Sequence, residues 1–347
     1  MRIVVTGATG NVGTSVLRAL AADDAVESIV GLARRLPSIA WPKTTFRRAD
    51  VAADDLVSLF RGADAVIHLA WLIQPAREQR VRQAVNVDGS TRVFDAVAKA
   101  DVPALVHASS VGAYSPAPIG RAVDERWPTD GIASSYYSME KAQVERRLDL
   151  LERAHAGLRV VRLRPSLILK REAATEIRRL FLGPLMPGRV VQHVPLLPYP
   201  RNLMLQVVAT DDIAEAYRLA VRSDVRGAFN IAAAPVLDGP ALSRVLGARP
   251  QAVPVSVVRA ALAASWRLRL QPTSPGWLDL GMAAPVLDTT RARRELGWQP
   301  RLSGPEVVED LLGGLRDHAD APTPPLANET SGRFRRREFS SGVGGSV

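Results

Sequence analysis

The chain has 347 residues, of which 47% are hydrophobic, and it carries a formal net charge of +10 and no cysteine. This length suits one large α/β domain or two small ones, with enough core to fold without covalent cross-links. A cysteine-free chain excludes disulfides, a thiolate nucleophile, cysteine-ligated zinc and an iron–sulfur cluster. No apolar run approaches the roughly 18 residues of a membrane span, and no signal-peptide pattern opens the chain, so we expect a cytoplasmic protein.

The positive charge is confined to one part of the chain. Residues 1–150 carry 18 basic and 17 acidic residues, residues 151–316 carry 23 and 14, and residues 317–347 carry four of each. The basic cluster Arg333–Arg337 therefore lies in a neutral tail, and we expect no nucleic-acid partner. The excess falls where a substrate pocket would form, which favours a small-molecule substrate with an anionic group held by arginine. A homodimer is left open.

The first 165 residues alternate between strand and helix patterns. The predicted strands are Ile3–Thr6, Ser28–Leu32, Thr45–Ala49, Ala65–Leu69, Ala104–Ala108 and Arg159–Leu163. The predicted helices are Asn11–Ala22, an amphipathic stretch over about 77–100, and Ser135–Ala154 with Ser134 or Ser135 as N-cap. Such alternation indicates an α/β fold, a Rossmann-type doubly wound parallel sheet.

The pattern changes after Pro165. Glycines and prolines over 183–202 predict no regular element there. Residues 204–232 are expected to return to the sheet, with a helix over Asp211–Val221 capped by Thr210. Residues 233–287 look irregular apart from one helix near 255–268, expected to pack over the substrate cleft, and Asp288 and Ser303 are expected to cap two final helices. We therefore predict a dinucleotide-binding region over 1–165, a small C-terminal substrate-binding lobe over 166–316 and a disordered tail over 317–347.

A glycine-rich turn follows the first strand and opens a helix. It reads Thr6-Gly7-Ala8-Thr9-Gly10-Asn11-Val12-Gly13. Glycines at this spacing allow a tight turn and let the backbone approach a pyrophosphate, which the helix N-terminus stabilises. The strand that follows ends in Arg34-Arg35 without a carboxylate, and guanidinium groups there favour NADP over NAD, unless they are ordinary surface arginines.

A phenol and an ammonium group stand one helical turn apart at Tyr137 and Lys141. They lie on the same face of the predicted helix, and a nearby cation lowers a tyrosine pKa, so that Tyr137 can act as general acid and base. Its neighbour Tyr136 is paired instead with Glu140, which would raise the Tyr136 pKa. Ser109-Ser110 ends a predicted strand at the edge where such sheets bind ligands, and its hydroxyl can hold a substrate oxygen. The five histidines have no metal-ligand spacing, so no metal is expected.

These motifs, in this order, resemble the extended short-chain dehydrogenases/reductases, the NAD(P)-dependent epimerase/dehydratase family. The resemblance spans residues 1 to about 316 and rests also on Asp50-Val51, on Ile67-His68-Leu69-Ala70, on the helix motif from Asn86 to Ser90, and on Leu163-Arg164-Pro165. It implies that Ser110, Tyr137 and Lys141 are catalytic. The resemblance also implies that Lys141 holds the nicotinamide ribose. Together with the glycine turn, the resemblance assigns further residues to the cofactor: Gly7, Gly10, Asn11, Val12, Gly13, Arg34, Arg35, Asp50, Val51, Leu69, Ala70, Asn86 and Pro165.

The expected function is hydride transfer between NAD(P) and a substrate alcohol or carbonyl, with Tyr137 moving the proton. Two departures, Gln206 before the Asp211-Asp212 motif and Ser115 after Tyr114, argue against a standard sugar-nucleotide epimerase. Three alternatives remain at this stage: an oxidoreductase of a small carbonyl compound or alcohol, a nucleotide-sugar epimerase or dehydratase that works through a transient ketone, and a dinucleotide-sensing regulator.

Overall fold

A computed structural model describes residues 1–73, 77–182 and 195–327. The strands are β1 (Arg2–Thr6), β2 (Ser28–Ala33), β3 (Thr44–Arg48), β4 (Ala65–His68), β5 (Ala104–Ala108), β6 (Ala122–Val123), β7 (Arg159–Pro165), β8 (Leu167–Leu169), β9 (Leu196–Pro200), β10 (Met204–Leu205), β11 (Val207–Ala209), β12 (Gly227–Ile231), β13 (Leu237–Asp238), β14 (Arg249–Val253) and β15 (Val286–Leu287). The α-helices are α1 (Asn11–Ala21), α2 (Val57–Phe60), α3 (Gln79–Arg82), α4 (Gly89–Lys99), α5 (Tyr136–Ala154), α6 (Ala174–Leu182), α7 (Thr210–Arg222), α8 (Gly239–Val245), α9 (Val255–Arg267), α10 (Pro275–Ala283), α11 (Thr290–Glu295) and α12 (Gly304–Arg316). A π-helix covers Gln83–Asp88, and 3₁₀ turns cover Val111–Ala113 and Arg171–Ala173.

Seven parallel strands form the central sheet, in the order β12-β7-β5-β4-β1-β2-β3. Chain order reverses at β1, which pairs with β2 on one side and β4 on the other. This confirms the predicted Rossmann-type sheet, and such a reversal opens a crevice at the carboxyl ends of the strands.

Helices cover both faces of the sheet because alternate strand residues point in opposite directions. Ile3 and Val5 belong to a buried cluster with α1 and α7, whereas Val4 belongs to a second cluster with α4 and α5. Each cluster is fully enclosed, so the sheet is a rigid base for residues at its edge.

The second half of the chain is more regular than the sequence predicts. The prediction of no regular element over 183–202 is wrong for β9, which pairs in parallel with β14; residues 183–194 lie outside the described residues. Prolines at positions 198 and 200 fit here because the pair has only two strands, so one side of β9 needs no ladder hydrogen bonds. Of residues 204–232, only β12 joins the central sheet, while β10 and β11 form separate two-stranded pairs. Additional helices and strands also form in 233–287, namely β13, α8, β14, α10 and β15.

Three further local predictions differ in detail. Thr210 is the first residue of α7 and not its cap, because its hydroxyl donates to the Leu169 carbonyl at 2.9 Å. Thr289, not Asp288, is the N-cap position of α11, and Asp288 instead accepts from the Thr290 backbone. Helix α9 has no fully buried residue but is joined to α10 through Arg259 and Asp279, and its packing over the substrate cleft stays a prediction. Residues 317–327 are not a free tail, since Leu326 packs in a small cluster with Ala173; residues 328–347 lie outside the described residues.

Candidate active site

The glycine turn between β1 and α1 has the geometry of a phosphate cradle. Gly7 has φ of +70°, and a Cβ on it would lie 2.8 Å from the Ala70 backbone nitrogen; a Cβ on Gly13 would overlap the Gly7 carbonyl oxygen. Both positions therefore require glycine for the fold itself. Gly10 is different, because a Cβ there would meet only the Gly7 oxygen, at an ordinary 3.5 Å. The open space beside Gly10 and the helix N-terminus fits a diphosphate.

The end of β4 lies against this turn. The Thr6 hydroxyl accepts hydrogen bonds from the backbone nitrogens of Leu69 at 3.2 Å and Ala70 at 3.3 Å. Both residues are half-buried and stand beside Gly7. The predicted cofactor residues of β1 and β4 are thus brought together at the reversal point of the sheet.

A lysine that the motifs did not single out stands behind the first turn of α1. The buried Lys170 ammonium donates to the Asn11 carbonyl at 3.3 Å, the Thr14 hydroxyl at 2.7 Å and the Ser15 hydroxyl at 3.1 Å. Burial lowers the pKa of Lys170 to about 8. Its cationic form adds to the positive potential at the turn that holds Asn11 and Val12.

The remaining predicted cofactor residues also stand near the carboxyl edge of the sheet. Arg34 and Arg35 are exposed just after β2, where partial burial and the Arg34 charge lower the pKa of Arg35. Asp50 follows β3 and accepts the Ala52 backbone N–H at 2.9 Å, and Val51 is buried beside Gly89. Pro165 is buried at the end of β7.

The side chains of Tyr137 and Ser110 both lie against Gly112. Helix α5 begins after Ser135, whose hydroxyl accepts from the Ser138 backbone N–H, and this cap sets Tyr137 in the first turn. The nearby Ser110 hydroxyl lowers the pKa of the Tyr137 phenol, but burial dominates and raises the pKa of Tyr137 to about 12. The structure therefore brings the predicted proton donor and orienting hydroxyl together.

The predicted effect of Lys141 on Tyr137 is wrong in this structure. The Lys141 ammonium donates to the Ala108 carbonyl at 2.7 Å and lies 3.4 Å from the Trp71 ring centroid, but 5.9 Å from the Tyr137 ring centroid. The expectation that Glu140 would act on Tyr136 is met only in part, since its charge raises the pKa of both tyrosines. Burial lowers the pKa of Lys141 to about 7. Helical spacing correctly predicted that Tyr137 and Lys141 lie on the same face of α5. It did not predict that burial would dominate the pKa values of both groups.

Asn86 fastens the loop after β4 to the catalytic helix. Its side-chain amide accepts from the Leu72 backbone N–H at 2.7 Å and donates to the Leu72 carbonyl at 2.9 Å and to Glu140 at 2.8 Å. Glu140 also accepts from Arg82 at 3.1 Å, and both charged groups are buried. The π-helix that carries Asn86 is a local departure of the kind often found at functional sites.

A second buried network supports the serine end of the site. The Glu145 carboxylate accepts from Ser109 at 2.5 Å, from Arg162 at 2.8 Å and from Arg164 at 2.9 Å on each oxygen. The two guanidinium groups and the serine outweigh burial and hold the pKa of Glu145 at about 2. Glu145 stands one turn after Lys141 on the same face of α5, a spacing that could have identified it.

Aromatic rings surround Tyr137. The Trp277 ring of α10 lies 4.9 Å from the Tyr137 ring, centroid to centroid, and the Trp71 ring lies 6.0 Å away on the loop after β4. Trp277 is 140 residues from Tyr137 in the sequence, so no local pattern predicted it. The described ranges contain no group of three or more His, Asp or Glu residues that could hold a metal ion.

The geometry agrees with the comparisons to known proteins. The model of the NAD dependent epimerase/dehydratase family matches residues 3–232, so the chain belongs to this family. An uncharacterised protein of Mycobacterium tuberculosis (strain ATCC 25618 / H37Rv) is 30% identical over 323 residues, which cover 91% of this chain and 30% of the relative. The chain thus spans about a third of the length of such relatives. L-arabinose 1-dehydrogenase (NAD(P)(+)) of Haloferax volcanii is 38% identical over 111 residues, covering 31% of this chain and 41% of the relative.

Solved structures support the fold. UDP-glucose 4-epimerase of Thermotoga maritima, solved with UDP-glucose, superposes with a TM-score of 0.70 at 19% identity and covers 92% of this chain and 99% of its own. UDP-glucuronic acid 4-epimerase of Bacillus cereus, solved with NAD, gives a TM-score of 0.67 at 16% identity and covers 91% and 99%. No helix within the described ranges is long and apolar enough to cross a membrane.

Proposed function

We propose that this protein is an NAD(P)-dependent oxidoreductase that interconverts an alcohol and a carbonyl group. The observation that carries the proposal is the juxtaposition of the Ser110 and Tyr137 side chains, which both lie against Gly112, in a chain that also has a glycine cradle with open space at Gly10. A bound nicotinamide supplies or accepts the hydride in such a site. The dehydrogenase activity named for the Haloferax volcanii relative supports the same reaction class.

Each residue has a role in the proposed reduction. Ser110 holds the substrate oxygen, and Tyr137 donates its phenolic proton to that oxygen as the carbon gains a hydride. Tyr137 is protonated at neutral pH, which is the form that can donate, and burial raises its pKa further, to about 12. Lys141, whose ammonium lies over the Trp71 ring, would hold the nicotinamide ribose. Asn86 fixes the loop that carries Leu72.

Arg34 and Arg35 support NADP as the preferred cofactor, because two exposed guanidinium groups after β2 would neutralise a 2′-phosphate. The NAD in the Bacillus cereus structure supports the opposite preference. Dissociation constants of both reduced cofactors, measured by fluorescence with wild type and an Arg34→Ser/Arg35→Ser variant, decide between them. A tighter NADPH complex that loses its advantage in the variant is the expected result.

A nucleotide-sugar epimerase is the second candidate, favoured by the UDP-sugars of the structural neighbours. The decisive experiment compares wild type with Tyr137→Phe using NADH or NADPH and a panel of aldehydes, ketones and UDP-sugars. We expect stoichiometric cofactor oxidation with a carbonyl compound, lowered at least about 100-fold in Tyr137→Phe. Conversion of a UDP-sugar without net cofactor turnover supports the epimerase. Cofactor binding with no turnover of either kind supports a regulator and contradicts both enzymes.

A further inference from the structure

The aromatic rings around Tyr137 form a built surface. Trp277 lies nearly parallel to the Tyr137 ring, with 33° between their planes, and Trp71 meets Tyr137 edge-on at 75°. Phe181 packs its edge against Trp277 at 5.0 Å. We call Trp71, Phe181 and Trp277 the aromatic subsite.

The position of Trp277 is fixed by close packing of α10 on the catalytic helix. A Cβ on Gly276 would overlap the Ser134 carbonyl oxygen, so only glycine lets α10 approach this closely. The Asp279 carboxylate at the same helix accepts from Arg259 at 2.8 Å and 3.0 Å. The position of Trp277 is therefore fixed by several contacts of α10, and not only by contacts of the indole ring itself.

The polar edge of Trp277 is already paired. Its indole N–H donates to the Tyr136 hydroxyl at 3.1 Å, and that hydroxyl donates to the Ile73 carbonyl at 3.0 Å. The indole is half-buried, so its apolar surface remains for a ligand. A ring held in this way recognises a partner by stacking and apolar contact.

The charged groups around Tyr137 are likewise committed to one another. Arg82 and Glu140 form a buried ion pair, and the Lys141 ammonium donates to the Ala108 carbonyl. A sugar carries hydroxyls on most carbons, and each loses hydrogen bonds to water on binding unless the site replaces them. The described groups around Tyr137 offer the surface of aromatic rings more than hydrogen-bonding groups for sugar hydroxyls. The anionic substrate group expected from the charge of residues 151–316 stays a prediction.

We propose that the aromatic subsite binds substrates in which the reacting carbonyl or carbinol carbon is attached to a flat aromatic or apolar body. The proposal rests on the proposed function. In the reductive direction the carbonyl carbon of an aryl aldehyde gains a hydride from NAD(P)H and its oxygen gains the Tyr137 proton, which solvent replaces. The products are the aryl alcohol and NAD(P)⁺.

The test compares Trp277→Phe, which keeps an aromatic ring, with Trp277→Leu, which keeps an apolar side chain but removes the ring. The control is Trp41→Leu, since Trp41 bridges to Thr44 at the opposite end of β3 from the site. The substrates are benzaldehyde and butanal. We expect Trp277→Leu to lower kcat/KM for benzaldehyde about tenfold relative to butanal, and Trp277→Phe and Trp41→Leu to retain the wild-type ratio.

The outcomes separate the two proposals. An unchanged ratio of the two substrates in Trp277→Leu, or an equal loss for both, overturns the aromatic subsite while leaving the hydride transfer in place. Turnover of a UDP-sugar but of neither aldehyde also overturns it. Failure of wild type to oxidise either reduced cofactor with any carbonyl compound contradicts the proposed function itself. The unchanged dissociation constant of the cofactor, measured by fluorescence, confirms that each variant is folded.

Discussion

A histidine buried under the cofactor site makes the protein sensitive to acid. His68 on β4 is 1% exposed, hydrogen-bonded through Nδ1 to the Thr6 hydroxyl at 2.7 Å and through Nε2 to the Ser90 hydroxyl at 2.9 Å. Burial, with a smaller contribution from the Lys141 charge, lowers the pKa of His68 to about 3. The imidazole is therefore neutral in the folded protein at every ordinary pH.

The sign of the pH dependence follows from linkage. The unfolded chain binds a proton at His68 near pH 6.5, whereas the folded chain does not until about pH 3. Stability from this residue is fully present above pH 6.5 and is lost as the pH falls toward 3. Lowering the pH from 7.5 to 5.0 therefore costs about 2 kcal/mol of unfolding free energy from His68 alone.

Urea unfolding of wild type and His68→Gln at pH 7.5 and pH 5.0 measures this contribution. Glutamine cannot titrate, so we expect the loss of unfolding free energy between the two pH values to be smaller by about 2 kcal/mol in the variant. His155→Gln is the matched control, because His155 is exposed at the end of α5. Equal pH dependence in wild type and His68→Gln would refute the reasoning, whatever the absolute stability of the variant.

Two further predictions concern the glycine turn and the charged network. Gly10→Ala should leave the melting temperature close to wild type but weaken cofactor binding about tenfold or more. Gly13→Ala should lower both the melting temperature and the cofactor affinity, because a Cβ on Gly13 overlaps protein atoms and a Cβ on Gly10 does not. Equal melting temperatures of the two variants would contradict this distinction. Glu145→Gln should lower the free energy of unfolding by about 3–5 kcal/mol, since it leaves two buried guanidinium groups without their shared carboxylate. Asp149→Asn, at a half-exposed partner of Arg162, should cost less than about 1 kcal/mol in the same denaturant titration.

The cofactor region was predictable because its signals are local. A glycine turn needs only the strand before it and the helix after it, and the pairing of Tyr137 with Lys141 needs only one helical turn. The parallel sheet follows from the alternation of strands and helices, and the strand pairing in the structure confirms it. What local patterns predict is which residues share an edge or a face.

The remaining features depend on contacts between distant segments. Trp277 reaches Tyr137 because Gly276 packs against Ser134, and nothing near residue 276 in the sequence signals that approach. Strand β9 was missed because prolines usually end strands, yet they are tolerated in a two-stranded pair. The predicted lowering of the Tyr137 pKa was wrong for a related reason. Helical spacing places a cation on the same face of the helix, but only the folded environment determines how strongly burial opposes ionisation of the phenol.

The site separates groups that stay charged from groups that are kept neutral. Glu145 remains ionised in a buried position because two guanidinium groups and a serine hydroxyl compensate for its desolvation. Tyr137 has only the Ser110 hydroxyl as compensation, so the same burial keeps it protonated. The permanent charges therefore act behind the end of β5, where they fix Ser109 and so the strand end that carries Ser110. Tyr137 is left in the form that donates a proton, as its proposed role as proton donor to a substrate oxygen requires.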